Sequence, residues 1–200
     1  MEELGNNSGH NLPNSKLNVP VGAWRDGLFD VCKHGALHGS AVTGICCCGI
    51  AAAQTAARLQ LTKFGRPLER HLVPAMFLSV VMWVSIYWVL RFTLVLAITP
   101  LDPGLNETDA STAFRVLVAV EDSLDGIYFL LSVILLCTIR KSLRRQFSIP
   151  ARICEDEALS LGCPCLVAAQ MLRHTADYEN HSSLYCFSAT GMARNAPVVV

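Results

Sequence analysis

Two apolar runs stand out from an otherwise mixed pattern of apolar and polar positions. The first, residues 72–90, is nineteen residues long and carries no formal charge. As a helix it measures about 28 Å, close to the hydrocarbon thickness of a bilayer. The apolar pattern resumes after Arg91 and continues to residue 99, and Pro74 suits a first helical turn. This pattern predicts a transmembrane helix over residues 72–98.

The second run is shorter. Residues 126–139 are fourteen uncharged residues, about 21 Å of helix, which is too short to cross a bilayer unaided. One possibility is that the basic residues after the run snorkel to the headgroups. The other is a transmembrane helix over residues 118–139 that carries acidic residues to or below the outer headgroups. These acidic residues are Glu121, Asp122 and Asp125.

An antiparallel hairpin of these two helices places Arg91 and Asp125 at the same depth, about seven residues inside the outer ends. At that depth the two side chains could form an ion pair. The alternative is that Arg91 faces the headgroups while Asp125 is a solvated turn residue. The sequence leaves both open.

Charges flanking the hairpin indicate its orientation. Basic residues crowd residues 63–71 and 140–145, whereas the connecting loop, residues 100–113, carries three acidic residues and no Lys or Arg. By the positive-inside rule both termini face the cytosol. We therefore expect an integral protein of the plasma membrane or an endomembrane, with the lipid bilayer as a partner.

Composition agrees with this organisation. The chain is 52% apolar, has a mean hydropathy of +0.39 and contains only 16% charged residues, more hydrophobic than a soluble domain of this size needs. Sixteen basic residues balance sixteen acidic ones, so no nucleic-acid partner is expected.

The ends of the chain carry weaker patterns. Residues 1–20 lack the basic and apolar segments of a secretory signal and are expected to form a disordered lead. Residues 191–200 show no periodicity and are expected to be a flexible tail. Residues 21–190 are then one cysteine-rich membrane domain.

Nine cysteines are present, and eight lie outside the hairpin on the side predicted to be cytosolic. A reducing compartment argues against a disulfide framework. Thiols there ligate soft metals, accept acyl chains beside a membrane, or perform redox chemistry.

The cysteines form two clusters of similar design. Cys46, Cys47 and Cys48 open one Ala-rich stretch, and Cys163-Pro164-Cys165 opens another. A Gln follows six residues after Cys48 and five after Cys165, so an internal repeat is plausible although the spacing differs. The pattern predicts short amphipathic helices near residues 50–63 and 159–176.

A tetrahedral zinc or cadmium site usually takes ligands from two separated pairs, and neither cluster alone provides them. Cysteines of both clusters, with Cys32 or a histidine, could complete one. The candidate ligands are Cys32, His38, Cys46, Cys47, Cys48, Cys154, Cys163 and Cys165. Acylation or simple packing of these thiols are the alternatives.

Four segments together carry a family resemblance: residues 19–30, containing Trp24 and Leu-Phe-Asp; the block from Cys46 to Gln54; residues 140–150, ending in Phe-Ser-Ile-Pro; and residues 163–178, beginning Cys-Pro-Cys. In this order around a hydrophobic middle, they resemble the placenta-specific-eight, cysteine-rich family. That family includes the plant cadmium resistance proteins and the cell number regulators. The resemblance covers roughly residues 19–190.

The resemblance implies a small, often homo-oligomeric membrane protein. Plant relatives are linked to cadmium and zinc handling, and others to organ size or cell proliferation. This chain departs from the family pattern at Val31, where members commonly have a cysteine, and at Glu157 and Ala158, where many have more. The thinner cysteine set weakens the inference of a metal role.

Two functions compete. In one, an oligomer handles divalent cadmium or zinc, with cytosolic thiols selecting the soft ion and the acidic trio near the outer mouth of a path between helices. In the other, the hairpin is an anchor for a regulatory or scaffold surface in growth control, without transport.

An enzyme is not expected. His174 could act as a base for Cys163 or Cys165, but its neighbours favour a solvated polar face, and no oxyanion element accompanies it. Neither a phosphate-binding loop nor a metalloprotease signature is present. The expected fold is mainly α: a membrane hairpin flanked by small cysteine-rich cytosolic segments.

Overall fold

Six α-helices organise the part of the chain that the structure describes. The structure is a computed structural model, and it describes residues 19–33, 35, 37–99, 109–150, 154–178 and 188–192. The expectations for residues 1–18 and 193–200 lie outside these ranges. The helices are α1 (Gly39–Cys46), α2 (Cys48–Arg58), α3 (Val73–Ile98), α4 (Asp109–Gln146), α5 (Glu155–Gly162) and α6 (Pro164–His174).

The mainly helical fold class is confirmed. The described residues form no β-strand, and their one isolated bridge joins Leu61 to Pro67. Two stretches, Arg70–Ile98 and Thr112–Gln146, are long and apolar enough to cross a membrane. The predicted pair of apolar helices is therefore present.

The second long helix is much longer than its apolar run. Its predicted range, residues 118–139, is only the middle of α4, whose 38 residues extend to both sides. Charged residues do not end a helix, and no proline interrupts residues 109–146. Termination follows at Ser148, which adopts a left-handed φ of 54°. The apolar run is therefore too short to cross a bilayer, but the helix that contains it is not.

The hairpin has a packed inner face and an exposed apolar outer face. Inside, the rings of Tyr87 and Tyr128 stack with centroids 3.7 Å apart, and Val80 and Val84 are buried. Outside, large apolar side chains are exposed over residues 78–96 of α3 and 116–134 of α4. We call this surface the apolar band; at about 27 Å along α3 it matches the hydrocarbon thickness of a bilayer.

The short helices form two pairs of the same dimensions. α1 and α5 have eight residues, α2 and α6 have eleven, and a single cysteine separates the helices of each pair. That cysteine has φ −140° and ψ 59° at Cys47, and φ −140° and ψ 56° at Cys163.

This geometry corrects the spacing taken from the sequence. Counted from the cysteine at the break, Gln54 and Gln170 each follow after seven positions. Only from the last cysteine of each cluster do the intervals differ, six positions in the first and five in the second. The two helix pairs are therefore two copies of the same structural unit.

Short helices, α2 and α6, are present at both predicted segments, but neither has a solvated polar face. Every residue of α2 from Gly49 to Arg58 is buried, and so is every residue of α6 from Val167 to His174. Small side chains allow the close packing this requires. A Cβ atom on Gly44 of α1 would lie only 2.6 Å from that of Ala169 in α6.

Candidate functional site

Two cysteines, one from each cluster, meet between the N-terminal ends of α2 and α6. Cys48 is the first residue of α2 and Cys165 the second of α6, and their side chains are hydrogen-bonded. Cys165 Sγ also lies 3.4 Å from the carbonyl oxygen of Ile45 at the end of α1. The helix pairs thus bring together thiols that are distant in sequence.

The contact makes the two thiols chemically unequal. The hydrogen bond from Cys48 lowers the pKa of Cys165 to about 6, against the effect of burial and with help from a backbone N–H at the helix start. The same bond, together with burial, raises the pKa of Cys48. Cys165 is therefore the more acidic of the two thiols, and the thiolate is the form that binds soft metals.

The other predicted ligands are spread around this pair. Cys47 and Cys163 are half-buried at the two helix breaks, whereas Cys32, Cys46 and Cys154 are exposed.

His38 has a structural position at the start of α1. Its Nδ1 accepts a bond from the backbone N–H of Ser40 at 3.3 Å, and its ring packs edge-on against Tyr178. Within the described ranges, no three His, Cys, Asp or Glu residues are placed to hold one metal ion. Ligation by the eight candidates stays a prediction.

A second polar group lies between the long helices. Arg91 of α3 pairs with Asp125 of α4, and its other guanidinium nitrogen lies 3.4 Å from a Glu121 carboxylate oxygen. The hydroxyl of Tyr87 donates to Asp125 at 2.9 Å. Asp122 is exposed. The contact between Arg91 and Asp125 is thus present, while a role for these charges in a membrane stays a prediction.

Two buried charge networks were missed by the sequence analysis. In the first, Asp156 of α5 accepts hydrogen bonds from Arg140 at 2.9 Å and Arg144 at 2.6 Å, both on α4. Arg140 also donates to Gln170 and lies 4.3 Å from the centre of the Trp24 ring. These residues tie α4 to both helices of the second pair.

The second network replaces the solvated polar face expected at the end of α6. Arg173 and His174 are each only 1% exposed. Arg173 lies 3.6 Å from Asp26, which also pairs with Lys33 at 2.6 Å. Burial lowers the pKa of Arg173, and Asp26 opposes this effect.

A buried arginine also joins α2 of the first helix pair to the end of α6 in the second. Arg58, at the end of α2, donates to the carbonyl oxygens of Leu172 and Thr190 and to the hydroxyls of Thr175 and Tyr178. One sequence feature could have indicated these buried arginines: each Ala-rich stretch contains a charged residue, Arg58 in the first and Arg173 in the second. Small apolar neighbours imply tight burial, and a buried charge requires partners.

The helix geometry removes the basis for a cysteine nucleophile with His174 as its base. Cys165 and His174 stand at opposite ends of α6, about 13 Å apart along the axis. His174 Nδ1 instead accepts a hydrogen bond from the backbone N–H of Arg25 at 3.1 Å. The histidine is part of the packing.

Residues 24–174 match a family model, that of the PLAC8 family. No curated protein and no solved structure matches the chain. The matched range extends from Trp24, beside Arg140, to His174 at the end of α6. It therefore contains both helix pairs, the hairpin and both charge networks.

Proposed function

The chain belongs to the PLAC8 family, a family generally not enzymatic, and on that premise we propose that it is a membrane protein of soft-metal homeostasis that binds divalent cadmium or zinc. Two apolar helices long enough to cross a bilayer support membrane insertion. Metal binding would be by cytosolic thiols.

The observation that carries this proposal is the meeting of Cys48 and Cys165. Two sulfur donors from separate clusters, one of them with a lowered pKa, would form the start of a soft-metal site. Cys47 and Cys163, at the ends of the same helices, are the nearest candidates in sequence for further ligands. Sulfur ligands would select cadmium or zinc over magnesium or calcium.

The test compares two double variants in cells exposed to cadmium or zinc. Cys48→Ser with Cys165→Ser removes both donors but keeps a hydroxyl able to hydrogen-bond. Cys32→Ser with Cys154→Ser is the matched control: both are exposed, and although they are candidate ligands in the sequence, a site built on Cys48 and Cys165 does not require them. Relative to cells that lack the protein, we expect altered metal accumulation with the wild type and the control, and unchanged accumulation with the first variant. Equal accumulation in all three would contradict the proposal.

We further propose that both termini are cytosolic, in the plasma membrane or an endomembrane, and that the chain assembles as a homo-oligomer. The basic flanks of the hairpin support the orientation. Protease digestion of terminally tagged protein in sealed vesicles tests it. In vesicles whose cytosolic face is outermost we expect both tags to be cleaved, and protection of both tags would contradict the proposed topology.

A membrane-anchored regulatory or scaffold protein is the second candidate. It is favoured by the lack of a three-donor group within the described part of the chain. It predicts normal growth-control activity in the Cys48 and Cys165 double variant. If the double variant loses both growth-control activity and metal accumulation, the scaffold function is rejected in favour of metal handling.

A further inference from the structure

A short turn before α3 has a fixed backbone. Leu61 and Pro67 form a β-bridge. The N–H of Thr62 donates to the carbonyl oxygen of Arg66 at 2.7 Å, and the N–H of Gly65 donates to the carbonyl oxygen of Thr62 at 2.9 Å. Gly65 has a φ of 71°, which favours glycine. The segment therefore holds one shape.

The turn is attached to α4. The hydroxyl of Ser142 donates to the carbonyl of Gly65 at 2.9 Å, and the hydroxyl oxygen of Thr138 lies 3.3 Å from the carbonyl oxygen of Lys63. A Cβ atom on Gly65 would overlap Ser142. The position of the turn against the hairpin is thus as specific as its shape.

Two side chains of the turn stand at the rim of an apolar cleft. Phe64 is 65% exposed, and the Lys63 ammonium lies 5.5 Å from the centre of its ring. The cleft has a volume of ≈ 220 Å³ and runs between α3 and α4. Its remaining lining residues are Ser79, Val80, Trp83, Leu131, Ile134 and Leu135.

The cleft lies at one end of the apolar band. Ile134 and Leu131 belong to both, each more than 40% exposed, so the cleft opens onto the surface that would face lipid. Its rim lies beside the basic segment that precedes α3. Within the described residues the Lys63 ammonium has no carboxylate partner.

We propose that this cleft binds one anionic glycerophospholipid, with an acyl chain between α3 and α4 and the phosphate on Lys63. An apolar slot open to the bilayer matches a chain, and a cation at its cytosolic rim matches a phosphate. The exposed Phe64 ring lies at the level of the headgroups, where aromatic side chains are enriched. This site rests on the membrane insertion proposed above and assigns a lipid class to it.

The test uses Trp83, which lines the cleft, as a fluorescent reporter. A background of Trp24→Phe with Trp88→Phe leaves Trp83 as the one remaining tryptophan of the chain's three. The full chain is reconstituted in phosphatidylcholine vesicles that contain the same small fraction of brominated phosphatidylglycerol or brominated phosphatidylcholine.

We expect the anionic quencher to act about fivefold more effectively on Trp83, as one lysine at a membrane surface provides. Lys63→Gln should abolish that preference, and 0.5 M salt should reduce it (about a 4 Å screening length). Lys141→Gln, which removes another lysine at the cytosolic end, is the matched control and should keep it. Equal quenching by both lipids, or a preference that survives Lys63→Gln, would overturn the site.

A reciprocal variant separates failure of this site from failure of membrane insertion. In Trp24→Phe with Trp83→Phe, the remaining Trp88 should be quenched equally by both brominated lipids. No quenching of Trp88 would contradict insertion itself, whereas quenched Trp88 without preference at Trp83 would contradict the lipid site alone. If a second copy of the chain occupies the cleft, diluting the protein in lipid should release that copy, and quenching of Trp83 should then rise. That result would overturn the proposal.

Discussion

At the residue scale, the thiol pair gives the two clusters different chemistry. The hydrogen bond between the two side chains lowers the pKa of Cys165 and raises that of Cys48. Both side chains sit at helix N-termini, where backbone N–H groups favour negative charge. A single hydrogen bond therefore decides which of the two thiols reacts.

This predicts a specific order of alkylation. In metal-free protein, iodoacetamide should modify Cys165 with a half-maximal rate near pH 6, the lowered pKa of its thiol. Cys48→Ala removes the donor and should shift that midpoint upward, whereas Cys154→Ala, at an exposed site, should leave it unchanged. Peptide mass spectrometry across pH measures both. An unchanged midpoint in Cys48→Ala would contradict the assigned donor.

A second residue-scale prediction concerns His174. Burial, and secondarily Arg25, lower its pKa to about 4 in the folded chain, against about 6.5 when unfolded. The unfolded chain therefore binds the proton first as pH falls. Stability from the neutral ring is complete above about pH 6.5 and is lost as pH falls towards 4, by up to about 3 kcal/mol.

Thermal denaturation of the detergent-solubilised protein between pH 7 and 4 measures this loss. His174→Asn should flatten the part of the pH dependence that the ring causes. The control His71→Asn changes an exposed histidine and should leave the profile as it is. A wild-type profile reproduced in His174→Asn would assign the pH dependence to other groups.

At the element scale, α4 is joined to the second helix pair through one carboxylate. Asp156 is 5% exposed and accepts from two arginines, Arg140 and Arg144, that are no more than 3% exposed. Removing an acceptor while leaving buried cations behind is strongly destabilising.

We therefore expect Asp156→Ala to lower the free energy of unfolding by about 3–5 kcal/mol. Glu157→Ala, at the next position, is the matched control. Its pair with Lys141 is exposed on both sides, so the melting temperature should change little. Similar melting temperatures for the two variants would contradict the central role of Asp156.

The hairpin allows a prediction by charge reversal. Arg91→Glu or Asp125→Arg alone should destabilise the pairing of α3 and α4 by about 1–2 kcal/mol, because each leaves like charges adjacent. The double reversal should restore part of the loss, while Asp122→Arg, at an exposed neighbour, should change little. Melting temperature and the monodisperse fraction in detergent measure this. No recovery in the double variant would contradict a functional ion pair.

At the scale of the whole molecule, the hairpin could be predicted from sequence and the bundle around it could not. Apolar runs are local, so residues 72–98 predicted α3 almost to the residue. The ends of α4 were missed because hydropathy marks where lipid is favourable, not where a helix stops. Charge in its flanks is compatible with continued helix.

The buried networks escaped prediction for a different reason. Asp156 and Gln170 meet Arg140 across 16 and 30 positions, and Arg58 meets Tyr178 across 120. Nothing local distinguishes Asp156 from a solvated residue, and the small apolar neighbours of Arg58 indicate burial without indicating its partners. The repeat was visible but misaligned, since only the backbone shows that Cys47 and Cys163 occupy the helix breaks.

The partners of Arg58 also determine when the molecule can close during synthesis. Its guanidinium on α2 binds Leu172, 114 positions later, and Thr190, 132 positions later. The ribosome has therefore delivered both long helices before the acceptors of this cation exist. We expect nascent chains stalled before residue 164 to leave α2 open to protease, and chains released at full length to protect it.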